Sequence, residues 1–251
     1  MVAETVGLLH PGEMGAAVGA VLHSQGLRVV WASEGRSAET RERAEAAGLE
    51  DVGSVVEVAR SDVVFSICPP HAAVEVARSL GPLQELYVDA NAVSPATVRE
   101  VAGIVEAAGG RFVDGGIVGS PPRETGTTRL YLSGPEADAV ARLFEGSVLD
   151  ARVVSNASAL KMAYAAWTKG TAAMLLAIRE LARCEGVEEA LLAEWGLSQP
   201  ELRERHEHAA RSADAKGWRW VGEMEEIAAS FEAADLPGGF HRAAAQVYRE
   251  R

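Results

Sequence analysis

Cysteine is scarce in this chain. The two present, Cys68 and Cys184, form no Cys-x-x-Cys pair and no metal-ligand spacing. Reduced thiols and no metal site are the expectation. No apolar run approaches the roughly 20 residues that span a bilayer. No block of Lys and Arg occurs either, and the net charge is −12. Nucleic acid and anionic membranes are therefore not the expected partners. Met1-Val2-Ala3-Glu4 has no basic segment of the kind that opens a secretion signal, so the expected location is the cytoplasm. What is present is ordinary for a globular protein: 251 residues, 48% hydrophobic and 24% charged. That length suffices for one large domain or two modest ones.

The most informative segment lies near the start. A short apolar run, Val6-Gly7-Leu8-Leu9, leads into His10-Pro11-Gly12-Glu13-Met14-Gly15 and then a small-residue stretch from Ala16 to Leu22. Strand, tight turn and helix is the arrangement that holds a dinucleotide pyrophosphate. Backbone N–H groups at the helix N-terminus face the phosphates, and glycine lets the backbone approach them. Of the G-x-G-x-x-G fingerprint, the second and third glycines are Gly12 and Gly15, while the first is His10. The alternative is an ordinary strand–turn–helix connection.

The first 154 residues alternate β-rich runs with helical ones. Strands are expected at Val6–Leu9, Arg28–Ala32, Val63–Ile67, Leu86–Asp89, Arg111–Asp114 and Leu130–Ser133. Helix-compatible segments fall between them, which implies a parallel sheet covered on both faces, a Rossmann-like α/β domain. Ligands of such sheets sit beyond the C-terminal strand ends. From Ser155 the texture changes. Ala157–Glu185 has no proline and a single glycine, with apolar residues at helical spacing. A helix about 40 Å long is expected there. Further helices are expected near Val187–Trp195, Pro200–Ala215, Trp218–Ala234 and Phe240–Arg249. Residues 155–251 thus read as an all-helical domain for substrate binding and dimerisation.

After the second strand comes Ser33-Glu34-Gly35-Arg36-Ser37. NAD sites place a carboxylate here for the ribose 2′-OH, whereas a 2′-phosphate needs hydroxyl and guanidinium donors. Ser33, Arg36 and Ser37 fit the phosphate, so NADP is favoured over NAD. A one-residue change of register would make Glu34 the NAD carboxylate. A solvated turn is the other reading. Lys161 stands at the start of the long helix, with Tyr164, Ala165 and Thr168 on its face at i+3, i+4 and i+7. Partial burial would bring its pKa towards the range of a general acid or base. Otherwise it is a lysine lying along the helix with its ammonium in water.

The segments Gly7 to Gly15, Ser66-Ile67-Cys68-Pro69, Asp89-Ala90-Asn91-Ala92-Val93-Ser94-Pro95 and Phe112-Val113-Asp114, together with Lys161, resemble the β-hydroxyacid dehydrogenase family. That family includes 3-hydroxyisobutyrate and 6-phosphogluconate dehydrogenases. The later stretches Trp220–Glu226 and Leu236–Phe240 resemble the helical C-terminal domain of a poorly characterised, phosphogluconate-dehydrogenase-like branch. The resemblance implies a nicotinamide cofactor whose pyrophosphate rests on Gly12 and Gly15, helped by backbone at Pro11, Glu13 and Met14, while His10, in the same turn, is expected to contact the cofactor or a neighbouring loop. It places Cys68 and Pro69 beside the nicotinamide ribose and Asn91 near nicotinamide and substrate. Lys161 falls on the family's catalytic lysine.

The chain also departs from that family. Its asparagine four residues after the lysine is here Ala165. The substrate-binding Ser-Gly-Gly is Val118-Gly119-Ser120, followed by Pro121-Pro122-Arg123. Ser120 and Arg123 are then the expected polar and anion-binding groups, with Tyr164 or Thr168 replacing the missing amide. His206 and His208, at i and i+2 on a helix, face different ways and suggest no metal. Trp218 and Trp220 read as core or subunit-interface anchors. His241 is a core residue or reaches the site. The reading is an NADP-dependent oxidoreductase acting on a small polar or acidic alcohol or its carbonyl, and a homodimer through the helical domain. An imine reductase and a non-catalytic NADP(H)-binding protein are the alternatives.

Overall fold

The structure is a computed structural model that describes residues 3–83 and 85–250. Its first part runs β1 (Thr5–Leu8), α1 (Glu13–Ser24), β2 (Arg28–Trp31), α2 (Ala38–Ala46), β3 (Glu50–Asp51) and α3 (Val55–Val58). There follow β4 (Val63–Ser66), a 3-10 turn (Pro70–Ala72), α4 (Ala73–Ser79), β5 (Leu86–Asp89), α5 (Pro95–Ala107) and β6 (Arg111–Gly119). The sheet is completed by β7 (Thr128–Ser133), α6 (Ala137–Arg142) and β8 (Leu149–Val153).

The eight strands lie in the order β3-β2-β1-β4-β5-β6-β7-β8. The chain winds outward from β1 on one side and from β4 on the other, so the crevice between β1 and β4 is the switch point of the sheet. Every residue of β4 is buried, as expected of a strand covered on both faces. On one face Val18, Val21 and Leu22 of α1 and Val140 of α6 share a core with Leu8, Phe65 and Val88. On the other, Val58, Ala77, Val101 and Val105 pack with Val64 and Tyr87.

The sheet is parallel, as expected, at every pair but one. β6 and β7 are antiparallel, with Asp114 opposite Ser133 and Gly119 opposite Thr128. Residues 120–127 between them are too few for a parallel crossover. β6 also runs on through Gly115 and Gly116 to Gly119.

The compact units divide between Lys161 and Met162. α7 (Ala157–Cys184) crosses that point, followed by α8 (Glu188–Ser198), α9 (Glu201–Ala233) and α10 (Gly239–Arg249). α9 is one helix of 33 residues, where a break between Ala215 and Trp218 was expected. Gly217 costs about 1 kcal/mol in a helix interior, but it is buried and a Cβ there would lie 3.8 Å from Tyr248 Cδ1. Packing against that ring carries the helix through the glycine. Within this unit Lys169 pairs with Glu223 at 2.9 Å. The Tyr248 hydroxyl donates to the Lys169 carbonyl at 2.6 Å, and Trp220 packs edge-on against Tyr248. Trp218, by contrast, is exposed. No helix among the described residues is long and apolar enough to cross a membrane.

Candidate functional site

The turn from β1 to α1 shows why two of the three fingerprint glycines suffice. A Cβ on Gly15 would stand 2.1 Å from the His10 carbonyl oxygen, so only glycine lets α1 pack this close to the turn. Gly12 is the N-cap of α1, no side chain caps the helix, and no described atom lies within 4 Å of a Cβ built there. Helix N–H groups facing an open space, with Pro11, Glu13 and Met14 around it, fit a pyrophosphate. At position 10 glycine is not required: among the described residues only Asp235 is a non-glycine with a left-handed backbone. The His10 Nδ1 is buried without a partner among the described residues. Burial first, and Arg36 second, push the imidazole down to about 4, so it is neutral at pH 7.

Cations gather around this turn. Arg36 Nη2 donates to the Leu9 carbonyl at 3.3 Å, Arg43 Nη1 to the Pro11 carbonyl at 3.4 Å, and Arg41 Nη2 to the Ser33 carbonyl at 3.3 Å. All three are long bonds to neutral oxygens, a weaker arrangement than a guanidinium makes with a phosphate; Arg43 also pairs with the Glu39 carboxylate at 2.5 Å. The Ser37 hydroxyl caps α2 by accepting from Thr40 N at 3.3 Å. Glu34 is exposed in the turn beyond β2. The sequence reading missed Asp51 of β3, whose Oδ1 accepts from Ser33 N at 3.1 Å and Gly53 N at 2.8 Å. Hydrogen bonds from Ser33, foremost its side chain, hold the Asp51 carboxyl below its usual range.

The ends of β4 and β5 are tied together by Asn91. Its Oδ1 accepts from Cys68 N at 2.6 Å, its Nδ2 donates to Ser66 Oγ at 3.0 Å, and its own N–H goes to Asp89 Oδ1 at 2.9 Å. Asn91, 2% exposed, thus orders the backbone at Cys68 and Pro69, a structural use of the amide that its sequence position did not announce. Burial pushes the Cys68 thiol up to about 12, which makes it an inert wall rather than a nucleophile.

The structure seats Lys161 on β6. A Cβ on Gly116 would lie 2.9 Å from the Lys161 Cβ and 3.0 Å from the Ala157 carbonyl oxygen. Two residues earlier on the same strand face, Asp114 Oδ2 accepts from Ser158 N and from Ser133 Oγ, each at 2.9 Å. Val118 is buried at 2% exposure. Gly119 is required by its φ of +117° and a Cβ clash at 2.1 Å with the Thr127 carbonyl. Ser120 and Arg123 are exposed, and the Ser120 carbonyl accepts from Thr128 Oγ1 at 2.5 Å.

In the helical unit Tyr164 is exposed and Ala165 fully buried. The Thr168 hydroxyl donates back to the Tyr164 carbonyl at 3.3 Å. His241 packs against Phe231 at 4.4 Å and beside Gly170. Nine residues at about 100° each put Gly170 on the face of α7 opposite Lys161, so His241 is a core residue. His206 Nδ1 lies 2.8 Å from Arg179, while His208 is exposed.

A family model described as the NAD binding domain of 6-phosphogluconate dehydrogenase matches residues 5–146. One described as a domain of unknown function, DUF1932, matches residues 182–251. An uncharacterised 28.5 kDa protein of Methanothermus fervidus is 30% identical over 164 residues, 63% of this chain and 63% of that protein. The match thus spans less than two thirds of that relative. A solved conserved protein of unknown function, reported as structurally similar to 3-hydroxyacid dehydrogenases, is 30% identical with a TM-score of 0.71, over 98% of this chain and 96% of that one. A 3-hydroxyisobutyrate dehydrogenase from Salmonella typhimurium has a TM-score of 0.71 at 16% identity, over 98% and 93% of the two chains; that likeness is one of fold. The dinucleotide turn, the switch-point sheet and the match over residues 5–146 agree: this chain belongs to the family of the NAD-binding domain of 6-phosphogluconate dehydrogenase.

Proposed function

We propose that this protein is an NADP-dependent oxidoreductase of the β-hydroxyacid dehydrogenase type, acting on a small polar or acidic alcohol or its carbonyl in the cytoplasm. The observation that carries the reading is the seating of Lys161. Its Cβ rests over Gly116 of β6; β6 pairs with β5, β5 pairs with β4, and Asn91 and Cys68 lie just beyond the ends of β5 and β4. Gly12 and Gly15, with the backbone of His10, Pro11, Glu13 and Met14, would hold the pyrophosphate. Arg36, joined by Ser33 and Ser37, would hold a 2′-phosphate, and Cys68, Pro69 and Asn91 would border the nicotinamide end. The bound nicotinamide supplies the hydride chemistry. The Lys161 amine takes the substrate's hydroxyl proton in oxidation and returns one to the carbonyl oxygen in reduction. Val118, Gly119 and Ser120, with Arg123, Tyr164 and Thr168, are the proposed substrate contacts, Arg123 pairing with an anionic group.

We also infer that the protein is a homodimer through α7. Tyr164, Trp167, Met174, Ile178 and Leu181 are all exposed. With Thr171 they follow the alternating three- and four-residue steps of a coiled-coil seam. A second copy of the same helix is the partner that matches such a seam.

A screen of NADPH- and NADP-linked turnover over hydroxy acids, their carbonyls and cyclic imines tests the reading. Lys161→Ala should lower turnover of the substrate found by about a hundredfold or more. Turnover of a cyclic imine that survives Lys161→Ala would replace this reading with an imine reductase using Tyr164. Tight NADPH binding without turnover on any compound would leave a binding protein.

A further inference from the structure

We propose that Asp114 is the positioning residue for Lys161: its carboxylate fixes the first turn of α7 and so the point from which the lysine side chain departs. The inference rests on the reading of Lys161 as the acid–base group. The first N–H groups of a helix find no acceptor in its own ladder, and here those of Ala157, Ser158 and Ala159 each have another partner. Ala157 N donates to Ser133 Oγ at 2.9 Å and Ser158 N to Asp114 Oδ2 at 2.9 Å. Ala159 N donates to Asn156 Oδ1 at 2.8 Å and Leu160 N to the Asn156 carbonyl at 3.2 Å. The Leu160 bond is the first rung of the helix ladder, and Lys161 is the next residue.

Two of those partners come from the sheet, not from the helix. Asp114 and Ser133 face each other across the antiparallel pair β6–β7, and Ser133 Oγ donates to Asp114 Oδ2 at 2.9 Å. One carboxylate oxygen thereby governs both anchored N–H groups, Ser158 directly and Ala157 through the serine. A carboxylate is the favoured group at that end of the helix dipole. Gly116, two residues along the same strand face, lets the turn come down onto β6, where a Cβ would meet Lys161 at 2.9 Å. The carboxylate holds the helix end and the glycine admits it. Together they fix the lysine backbone against a strand paired with β5, residue by residue from Leu86–Arg111 to Asp89–Asp114. Burial pushes the Asp114 carboxyl up, against the bonds from Ser158 and Ser133, so burial works against an ionised side chain at this position.

The sequence offers an unusually clean readout, because its only lysines are Lys161, Lys169 and Lys216. Reductive methylation with 13C gives three dimethyl-lysine NMR signals, assigned by single Lys→Arg variants and titrated without cofactor or substrate. Asp114→Ala should move the Lys161 midpoint by about half a pH unit or more and leave the other two unmoved. Asp114→Asn, which keeps an oxygen for the Ser158 N–H, should restore it to within about 0.2 units. Ser133→Ala, which removes only the Ala157 anchor, should give a smaller shift in the same direction, and it carries the test if Asp114→Ala does not fold. A folded Asp114→Ala with lower thermal stability but an unmoved Lys161 signal overturns the proposal, as does an unmoved signal in Ser133→Ala if that variant stands alone. NADPH titration of the wild type keeps the two readings apart. Absence of binding sinks the proposed function whichever way Lys161 moves, and binding with an unmoved Lys161 sinks the positioning role alone.

Discussion

Gly116 lies under Lys161, so close that a methyl group on the glycine would stand 2.9 Å from the lysine Cβ. Gly116→Ala must therefore lift the first turn of α7 from β6 or bend the strand. Overpacking of this kind costs about 1–3 kcal/mol. Denaturant unfolding should show that loss while NADPH affinity stays within about twofold, because the nucleotide turn lies on β1 and α1. An unchanged unfolding midpoint would mean that the contact is not tight in solution.

Gly15 is held to a stricter limit, since a Cβ would meet the backbone oxygen of His10 at 2.1 Å. A backbone atom cannot swing aside as a side chain can. Gly15→Ala should shift α1 and weaken NADPH binding by about tenfold or more, measured by calorimetry. Gly12→Ala has room for the methyl group, so it should keep the fold and lose affinity only by occupying the space proposed for the phosphates.

The depressed imidazole of His10 gives a pH signature. Its folded value of about 4 lies below the ordinary 6.5. Between those values the unfolded chain binds a proton that the folded chain refuses, so stability falls as pH drops through this window. The melting temperature of His10→Gln should fall less steeply than that of the wild type from pH 6.5 to 4, with the two slopes matching above pH 7. Parallel curves throughout would assign the acid sensitivity to other groups.

The exposed seam of α7 predicts the oligomeric state. Light scattering should give twice the chain mass of 26.5 kDa for the wild type and a single chain for Met174→Glu/Ile178→Glu. A monomeric wild type would contradict the proposed dimer without touching the nucleotide site.

Much of this fold is legible in the sequence because the parallel strands are buried on both faces and read as short apolar runs, as Val63–Ser66 does. Two strands escape. β3 is the two exposed acidic residues Glu50 and Asp51, with no hydrophobic signature, and β8 is the edge strand Leu149-Asp150-Ala151-Arg152-Val153, whose apolar residues alternate with polar ones and so make no continuous apolar run. The glycines that made residues 115–119 look like a loop are there for close approach, which a sequence cannot distinguish from flexibility. At the site, the nucleotide turn and Lys161 are visible as local motifs. The parts played by Asp51 and Asp114 are not, because their partners stand 18 and 44 residues away. Asn91 was legible as a strand-end residue, but its tie to Cys68 needed the neighbouring strand to be seen.

If Arg36 and the turn beside it make an NADP site, paired titrations with NADPH and NADH will separate the two nucleotides. An arginine–phosphate contact is worth about 1.5–3 kcal/mol. NADPH should bind more tightly than NADH, and Arg36→Ala should weaken NADPH by about 10- to 100-fold while leaving NADH nearly unchanged. Equal affinity for the two nucleotides, or an NADPH affinity indifferent to Arg36→Ala, would contradict it.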